Sequence, residues 1–434
     1  MKNDSTGKTL ESTKVMSAKR AVTAGVIGNT MEWFDYGIYG TLAPVISGVF
    51  FPNKDALLGL LWTFIIFGVG FVMRPVGAFV FGHIGDKYGR KTALSWTIFM
   101  MAFATFLIGV IPSYAVIGVV APVLLTLCRL LQGLSTGGEW GGSAAFIVEY
   151  ASKDRRGYYG SWQQVSVIGG LAIGAACGLL LSYGLAPEDL NSWGWRLPFL
   201  AGITLGLVGW YLRTKLEDTP AFQEAEKSHA VVKDPIKTAM RSNSAGILQA
   251  MGMTVIWTVS FYILLTFMPS YINKVLKLPL HISLASNFFS YVLLIILIPV
   301  MGHLSDKIGR KPLLLASCLG FALFTYPLFV FISDGGFWKL VIVQMILGVF
   351  LAMFSGPGVA FIAEIFPTNV RVSTLSIGYN LVVALLGGTA PFIATYLVAK
   401  TGNNLSPSYY VVVAAVISFF SILSIKESFD KPLK

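Results

Sequence analysis

The sequence predicts an all-α membrane protein of twelve transmembrane helices in two pseudo-symmetric six-helix bundles. Three observations predict it. Of 434 residues, 55% are hydrophobic and only 12% are charged, whereas soluble domains carry about 25% charged residues. Apolar runs of spanning length recur along the whole chain, with no polar domain between them. A ten-residue polar motif occurs twice, once in each half.

The first twenty residues, MKNDSTGKTLESTKVMSAKR, are polar and carry both signs of charge. They read as a cytoplasmic tail, because the apolar core of a cleavable signal begins sooner. Spans are expected at 21–50, 57–85, 93–112, 115–150, 157–185, 194–212, 245–272, 281–304, 312–332, 338–364, 372–399 and 407–425. Several exceed a straight crossing, and tilt or extension beyond the bilayer absorbs the excess. The polar stretch 213–243 divides six spans from six. It reads as a cytoplasmic link, with a short surface helix, between an N-terminal bundle (21–212) and a C-terminal bundle (244–425). Residues 426–434 form the second cytoplasmic tail. Arg74-Pro75 in the second span marks a kink, since Pro frees a backbone carbonyl. Trp193-Gly194-Trp195-Arg196 opens the sixth span on the outer side, where Trp anchors are common.

Charge sets the orientation. The tails and the alternate loops hold 24 of the 32 Lys and Arg, whereas the opposite side holds Lys54, Lys274, Lys277, Lys339 and Lys400. Positive charge favours the cytoplasmic side, which places both termini there and requires an even number of spans. The net charge of +11 is accounted for by those loops, so it does not indicate nucleic acid. Cys128, Cys177 and Cys318 each lie inside an apolar run and form neither a disulfide framework nor metal-ligand spacing. There is no nucleophile elbow or phosphate loop, and only four His. These absences argue against an enzyme.

The halves repeat. Gly82-His-Ile-Gly-Asp86-Lys-Tyr-Gly-Arg90-Lys91 returns as Gly302-His-Leu-Ser-Asp306-Lys-Ile-Gly-Arg310-Lys311, with seven of ten positions identical. Glu149 precedes Arg156 by seven residues, and Glu364 precedes Arg371 by seven. Two homologous bundles of this kind build transporters whose site lies between the halves.

Charged groups inside spans are expensive and are functional candidates by default. In GNTMEWFDYGIYG of the first span, Glu32 and Asp35 are three apart and Asp35 and Tyr39 four apart, so they share a helix face. Desolvation disfavours a charged carboxyl, which suits such acids to proton or cation handling. Arg129 in the fourth span needs an interior partner, and Glu139, ten residues on, lies near the same face. Trp33, Tyr36, Tyr39, Trp140, Trp162, Trp257, Tyr262 and Tyr379 fall within spans, and aromatic faces suit a quaternary ammonium. Asn29, Gln163 and Asn380 could bind a carboxylate or orient neighbouring groups. No Lys or Arg lies deep in the second six spans, which favours a zwitterion over a di- or tricarboxylate.

The repeated G-x-x-x-D-K-x-G-R-K resembles the signature of the major facilitator superfamily. The resemblance implies the major facilitator fold and a cytoplasmic latch that stabilises an outward-open state. Asp86, Arg90, Asp306 and Arg310, with Glu149, Arg156, Glu364 and Arg371, would be its gating residues. Arg129-Leu-Leu-Gln132-Gly133 resembles the fourth-helix motif associated with proton coupling, which implicates Arg129 with Glu139. Further segments, FVMRPVGAFVFGHIGDKYGRK, RLLQGLSTGGEWGGSAAFIVEY and SWGWRLPF, resemble the metabolite:proton symporter family over nearly the whole chain. FYILLTFMPSYI, EIFPTNVR and SYYVVVAAV look most like its proline/glycine-betaine branch. Osmosensing members of that branch often extend into a long heptad tail, whereas this sequence ends at Lys434.

The resemblance implies a monomer in a bacterial inner membrane that imports a small carboxylated metabolite with protons and needs no cofactor. A symporter of 2-oxoglutarate, citrate or shikimate, and an exporter of the same fold, are the alternatives. A sensor or scaffold without transport would need no intramembrane charges.

Overall fold

The structure is a computed structural model that describes residues 26, 29–30, 32–52, 56–88, 90–137, 139–214, 244–366, 371–427, 429, 431 and 433. The tail at 1–20 and nearly all of the link at 213–243 lie outside the described residues.

The first bundle begins with α1, helical over 32–41 and continued by Ala43–Phe50. It is followed by α2 (Ala56–Val72 with Arg74–Tyr88), α3 (Arg90–Val110) and α4 (Val120–Thr136 with Glu139–Tyr150). Helices α5 (Arg156–Gly184) and α6 (Arg196–Thr214) complete it. The second bundle opens with α7 (Ser244–Tyr262), which runs on through widened turns at Ile263–Phe267 and Tyr271–Val275. Then come α8 (Leu280–Ile308), α9 (Arg310–Phe331) and α10 (Phe337–Ile365). Helix α11 joins Arg371–Val382 to Ala390–Thr401 through a widened turn at Val383–Gly387, and α12 is Ser406–Ser424. There is no strand among the described residues. The fold is the twelve-helix arrangement of two six-helix bundles.

Local sequence explains the breaks. Helix α2 is interrupted at Met73, immediately before Arg74-Pro75, where the ring removes a backbone donor. The fourth run is shorter than the expected 115–150. Tyr114–Ile117 forms a separate turn that ends at Gly118 with φ +57°, and the helix is broken again between Thr136 and Glu139. Gly309, between α8 and α9, has φ +96°, a conformation that L side chains rarely adopt, so the repeated motif needs its glycine there.

Small residues set the helix crossings. A Cβ on Gly133 would strike the Gly70 carbonyl, and one on Gly137 would strike the Arg74 carbonyl. Helices α2 and α4 therefore touch backbone to backbone, as membrane helices do at glycine-rich faces. In the second bundle, the widened turn of α7 is tied to α8. The Leu264 carbonyl accepts from Asn287 Nδ2 at 2.8 Å and the Leu265 carbonyl from the Tyr291 hydroxyl at 2.9 Å. Between bundles, α5 packs against α8 and α10, and α2 and α4 pack against α11.

Candidate functional site

Two arginines lie fully buried within the first bundle, Arg129 on α4 and Arg74 on α2. Arg129 is held on several sides. Its Nη1 lies 3.3 Å from Asp35 Oδ2 and donates to Gln132 Oε1 at 2.7 Å. Gln132 in turn donates to Thr105 Oγ1 of α3 at 3.0 Å. The guanidinium stands 4.4 Å from the centre of the Tyr39 ring and 4.9 Å from that of Tyr36. The Tyr39 hydroxyl donates to the Thr63 carbonyl at 3.1 Å. An ion pair this deep is strongly oriented, because losing one partner strands the other in a medium that solvates charge poorly.

Arg74 is placed differently. Its Nη2 is 3.8 Å from Glu32 Oε1, a charge contact longer than a hydrogen bond. Its carbon Cζ lies 4.4 Å from the Phe71 ring centre, 5.2 Å from Tyr36 and 5.6 Å from Trp33. Tyr262 and Tyr379, both from the second bundle, lie within electrostatic reach of Arg74 and Glu32. This group therefore sits where the halves face each other. Phe71 packs on Tyr262 with ring centres 5.4 Å apart, and a Cβ on Gly388 would meet Phe71.

A second aromatic group crosses the seam. Trp140 of α4 stacks on Tyr379 of α11 at 3.5 Å between centres and 4° between planes. Trp257 of α7 stands edge-on to both, at 6.1 and 5.8 Å. Its indole donates to Ser355 Oγ at 3.0 Å, whereas the Trp140 indole nitrogen has no hydrogen-bond partner among the described residues. Asn380 Nδ2 donates to the Gly137 carbonyl at 3.2 Å, at the break in α4.

Charged groups cross the seam again on the basic face, the face that carries the Lys- and Arg-rich loops. Asp306 accepts from the backbone N–H groups of Gly157 and Tyr158, both at 2.8 Å. Those groups open α5, so the carboxylate meets the positive end of a helix from the opposite bundle. Arg310 Nη1 lies 2.9 Å from Asp306 and its Nη2 lies 3.3 Å from Glu364. Arg371 Nη1 reaches Glu149 of the first bundle at 2.9 Å. Arg156 Nη1 lies 3.9 Å from Glu364. On the opposite face a cavity of about 220 Å³ is lined by Leu60 of the first bundle and by Phe267, Tyr271, Lys274, Val398 and Asn404 of the second.

The structure thus brings Asp35, Tyr36, Tyr39 and Arg129 into one group, Glu32 beside Arg74 into a second, and Trp140, Trp257 and Tyr379 into a third. Tyr262 belongs with the Arg74 group. Asn29 Nδ2 donates to the main-chain carbonyl of Gln163 at 3.2 Å and to Ser166 Oγ at 2.7 Å, tying the start of the first helix to α5, whereas the Gln163 side chain accepts from Gln164 Nε2. Trp162 is half-buried and packs on Tyr158, apart from these groups. The side chains of Asp86, Arg90 and Glu139 lie outside the described residues. Arg129 has Asp35 as an acidic partner, and its expected pairing with Glu139 falls on a side chain outside the described residues. Three of the groups that shape the site, Arg74, Phe71 and Thr105, were not singled out as site residues from sequence. The rarity of Arg within a span was the available signal for Arg74. Among the described residues no cluster of His, Cys, Asp or Glu could hold a metal ion.

Comparison with known proteins now gives the class. The family model described as sugar (and other) transporter matches residues 21–434. The proline/betaine transporter of Salmonella typhimurium is 37% identical over 429 residues, covering 96% of this chain and 85% of that protein. The glycine betaine/proline/ectoine/pipecolic acid transporter of Dickeya dadantii is 38% identical over 431 residues, with the same coverages. Among solved structures, the proton:xylose symporter XylE of the major facilitator superfamily superimposes with a TM-score of 0.77 over 96% of this chain and 97% of that one. At 16% identity, that likeness concerns the fold alone. The chain belongs to the sugar (and other) transporter family of the major facilitator superfamily, and it is a multi-pass membrane transporter rather than an enzyme.

Proposed function

We propose that this chain is a proton-coupled symporter that imports proline or glycine betaine by alternating access, as a monomer in a bacterial inner membrane. The observation that carries the coupling is the buried pair of Asp35 and Arg129 at 3.3 Å. A carboxylate at that depth is stable as an anion only while its cation is in place. Protonating Asp35 releases Arg129, and losing the proton draws it back. That exchange gives the helices two discrete arrangements, which a proton gradient biases. Glu32 is the second candidate acid, and Glu139 a further candidate from its spacing to Arg129 in the sequence. The names of the two relatives support the substrate class.

In this reading the basic face is cytoplasmic, with both termini on that side, and the substrate lies at the seam beside Trp140, Trp257 and Tyr379. The cross-seam contacts of Asp306, Glu149, Arg371, Glu364 and Arg156 form the inner gate, with Arg310 holding Asp306 and Glu364 within the second bundle and Asp86 and Arg90 as the repeat counterparts of Asp306 and Arg310. Substrate arrives from the face that carries the cavity beside Lys274. The proton is the coupling ion and no cofactor is required.

The test is uptake of labelled glycine betaine in proteoliposomes by the Asp35→Asn variant. It should abolish gradient-driven accumulation while leaving exchange of internal for external substrate within about threefold of wild type. Accumulation that persists in the variant would sink the assignment of Asp35.

A further inference from the structure

We infer that Glu427 is a positioning residue of the inner gate: it caps α9 from the second tail and so holds the Lys431 carbonyl against Arg156 of the opposite bundle. This rests on the alternating access proposed above and deepens it. Helix α9 starts at Arg310, and the residue before it is Gly309, which has no side chain to meet the free N–H groups of the first turn. The cap comes instead from the tail, 116 residues beyond Lys311. Glu427 Oε2 accepts from the Lys311 N–H at 2.7 Å, where a carboxylate also meets the positive end of the helix. Gly309 leaves room for it, since an added Cβ would lie 2.9 Å from Glu427 Oε2 and 3.5 Å from Phe429.

The cap bears on the gate through α9. Arg310, the first residue of that helix, holds Asp306 at 2.9 Å and Glu364 at 3.3 Å, so what fixes the start of α9 also fixes the arginine between those acids.

The tail is rooted in the second bundle. Lys311 Nζ donates to the carbonyls of Leu423 and Ile425, at 2.8 and 2.7 Å, where α12 ends. Glu427 Oε1 accepts from the Phe429 N–H at 3.3 Å, and the Phe429 ring centre stands 5.9 Å from Arg310 Cζ. From that root the tail reaches the first bundle, where Arg156 Nη1 donates to the Lys431 carbonyl at 3.0 Å. Arg156 lies 3.9 Å from Glu364, beyond hydrogen-bond length, so among the described residues the tail carbonyl is its closer acceptor. The link therefore joins α5 of one half to a segment fixed on α9 and α12 of the other. Rocking the halves apart on the basic face must break it, so it favours the arrangement in which that face is closed.

The test reads the two faces separately. The purified full-length protein carries Cys128→Ser, Cys177→Ser and Cys318→Ser, with either Ser161→Cys or Ser270→Cys as the probe. Ser161 is fully buried where Gly302 of the second bundle crosses α5, whereas Ser270 lines the cavity on the opposite face. Thiol labelling rates are measured in nanodiscs, where both faces are open to the reagent. Glu427→Ala should raise the rate at Ser161→Cys about threefold or more and lower it at Ser270→Cys, because the population moves toward the inward-open arrangement. A stop after Phe429 keeps the cap and removes the Lys431 carbonyl. It should give the same opposed shifts, and it keeps the inference open to refutation if Glu427→Ala fails to fold. Glu427→Gln, whose amide oxygen can still accept from Lys311, should fall between wild type and Glu427→Ala. A merely structural role would loosen both faces, so rates that rise at both cysteines, or change at neither, would overturn the inference. Asp306→Asn, which breaks the gate itself, is measured beside these variants. If it too leaves both rates unchanged, the inner-gate reading falls and the inference with it.

Discussion

Glu149 and Arg371 come from opposite halves of the molecule and meet at 2.9 Å. Their repeat counterparts, Glu364 and Arg156, also reach across, at 3.9 Å. In sequence each acid stands seven residues before an arginine of its own half, yet each pairs with the arginine of the other. The repeat is thus used reciprocally, and the basic face carries two symmetry-related cross-seam pairs, with Glu364 also 3.3 Å from Arg310 of its own half. Arg371 is also the better anchored arginine, since its Nε and Nη2 donate to the carbonyls of Ala363 and Phe366.

Neutralising one clasp should open the basic face. A hydrogen bond to a charged partner contributes about 1.5–3 kcal/mol, so Glu149→Gln should favour the inward-open arrangement by roughly tenfold or more. Labelling of a cysteine introduced into the seam from the basic side should rise accordingly. The reversed pair, Glu149→Arg with Arg371→Glu, should recover less than half of the effect, because the Ala363 and Phe366 carbonyls would lose their donor. Unchanged labelling in Glu149→Gln would contradict the clasp.

Asp306 should tolerate even its closest isostere badly. Asp306→Asn keeps the size but loses the charge that meets two N–H groups at the start of α5 and the Arg310 guanidinium. Initial uptake should fall at least tenfold with little change in KM, the signature of a gate rather than a binding group. A change in KM alone would assign Asp306 to the substrate instead.

The fold was legible in the sequence to a large degree because the bilayer leaves few choices. A spanning segment needs about 20 apolar residues and internal backbone hydrogen bonds, so length and hydropathy locate helices with little context. The interruptions were harder. Arg74-Pro75 announced the break in α2, whereas nothing local announced how closely α2 and α4 cross at Gly133 and Gly137, which is a tertiary fact. The intramembrane charges stood out, but their pairing did not. Asp35 and Arg129 are 94 residues apart, and only the crossing of α1 and α4 brings them together. Arg74 was read as a kink marker because its neighbour is proline. Trp162 looked like a site aromatic, but which face of α5 meets the seam is not encoded in one residue's position.

The glycine crossing should be unforgiving. Gly133→Leu must displace the Gly70 carbonyl, and overpacking of this kind costs about 1–3 kcal/mol or more. Purified variant protein should show a Tm several degrees lower, or fail to accumulate in the membrane. Gly169→Leu, whose added Cβ would meet nothing within 4 Å, should leave Tm within about one degree. Equal losses in the two variants would remove the argument for a specific α2–α4 contact.

Stacking of Trp140 on Tyr379 should matter to ligand as well as to closure. Trp140→Ala removes one face of a cross-seam pair whose centres lie 3.5 Å apart, and aromatic pairs and cation–π contacts each contribute about 0.5–2 kcal/mol. Glycine betaine affinity should fall about tenfold, and Trp140→Phe should recover most of it. Wild-type affinity in Trp140→Ala would place the substrate elsewhere.

The central claim is coupled import, and one measurement tests it most directly. Proteoliposomes containing the purified protein are given an inward proton gradient, and uptake of labelled glycine betaine and proline is followed with and without a protonophore. The account predicts accumulation above the external concentration that collapses when the protonophore is added. Accumulation unaffected by loss of the proton gradient, or no transport of either compound, would contradict it.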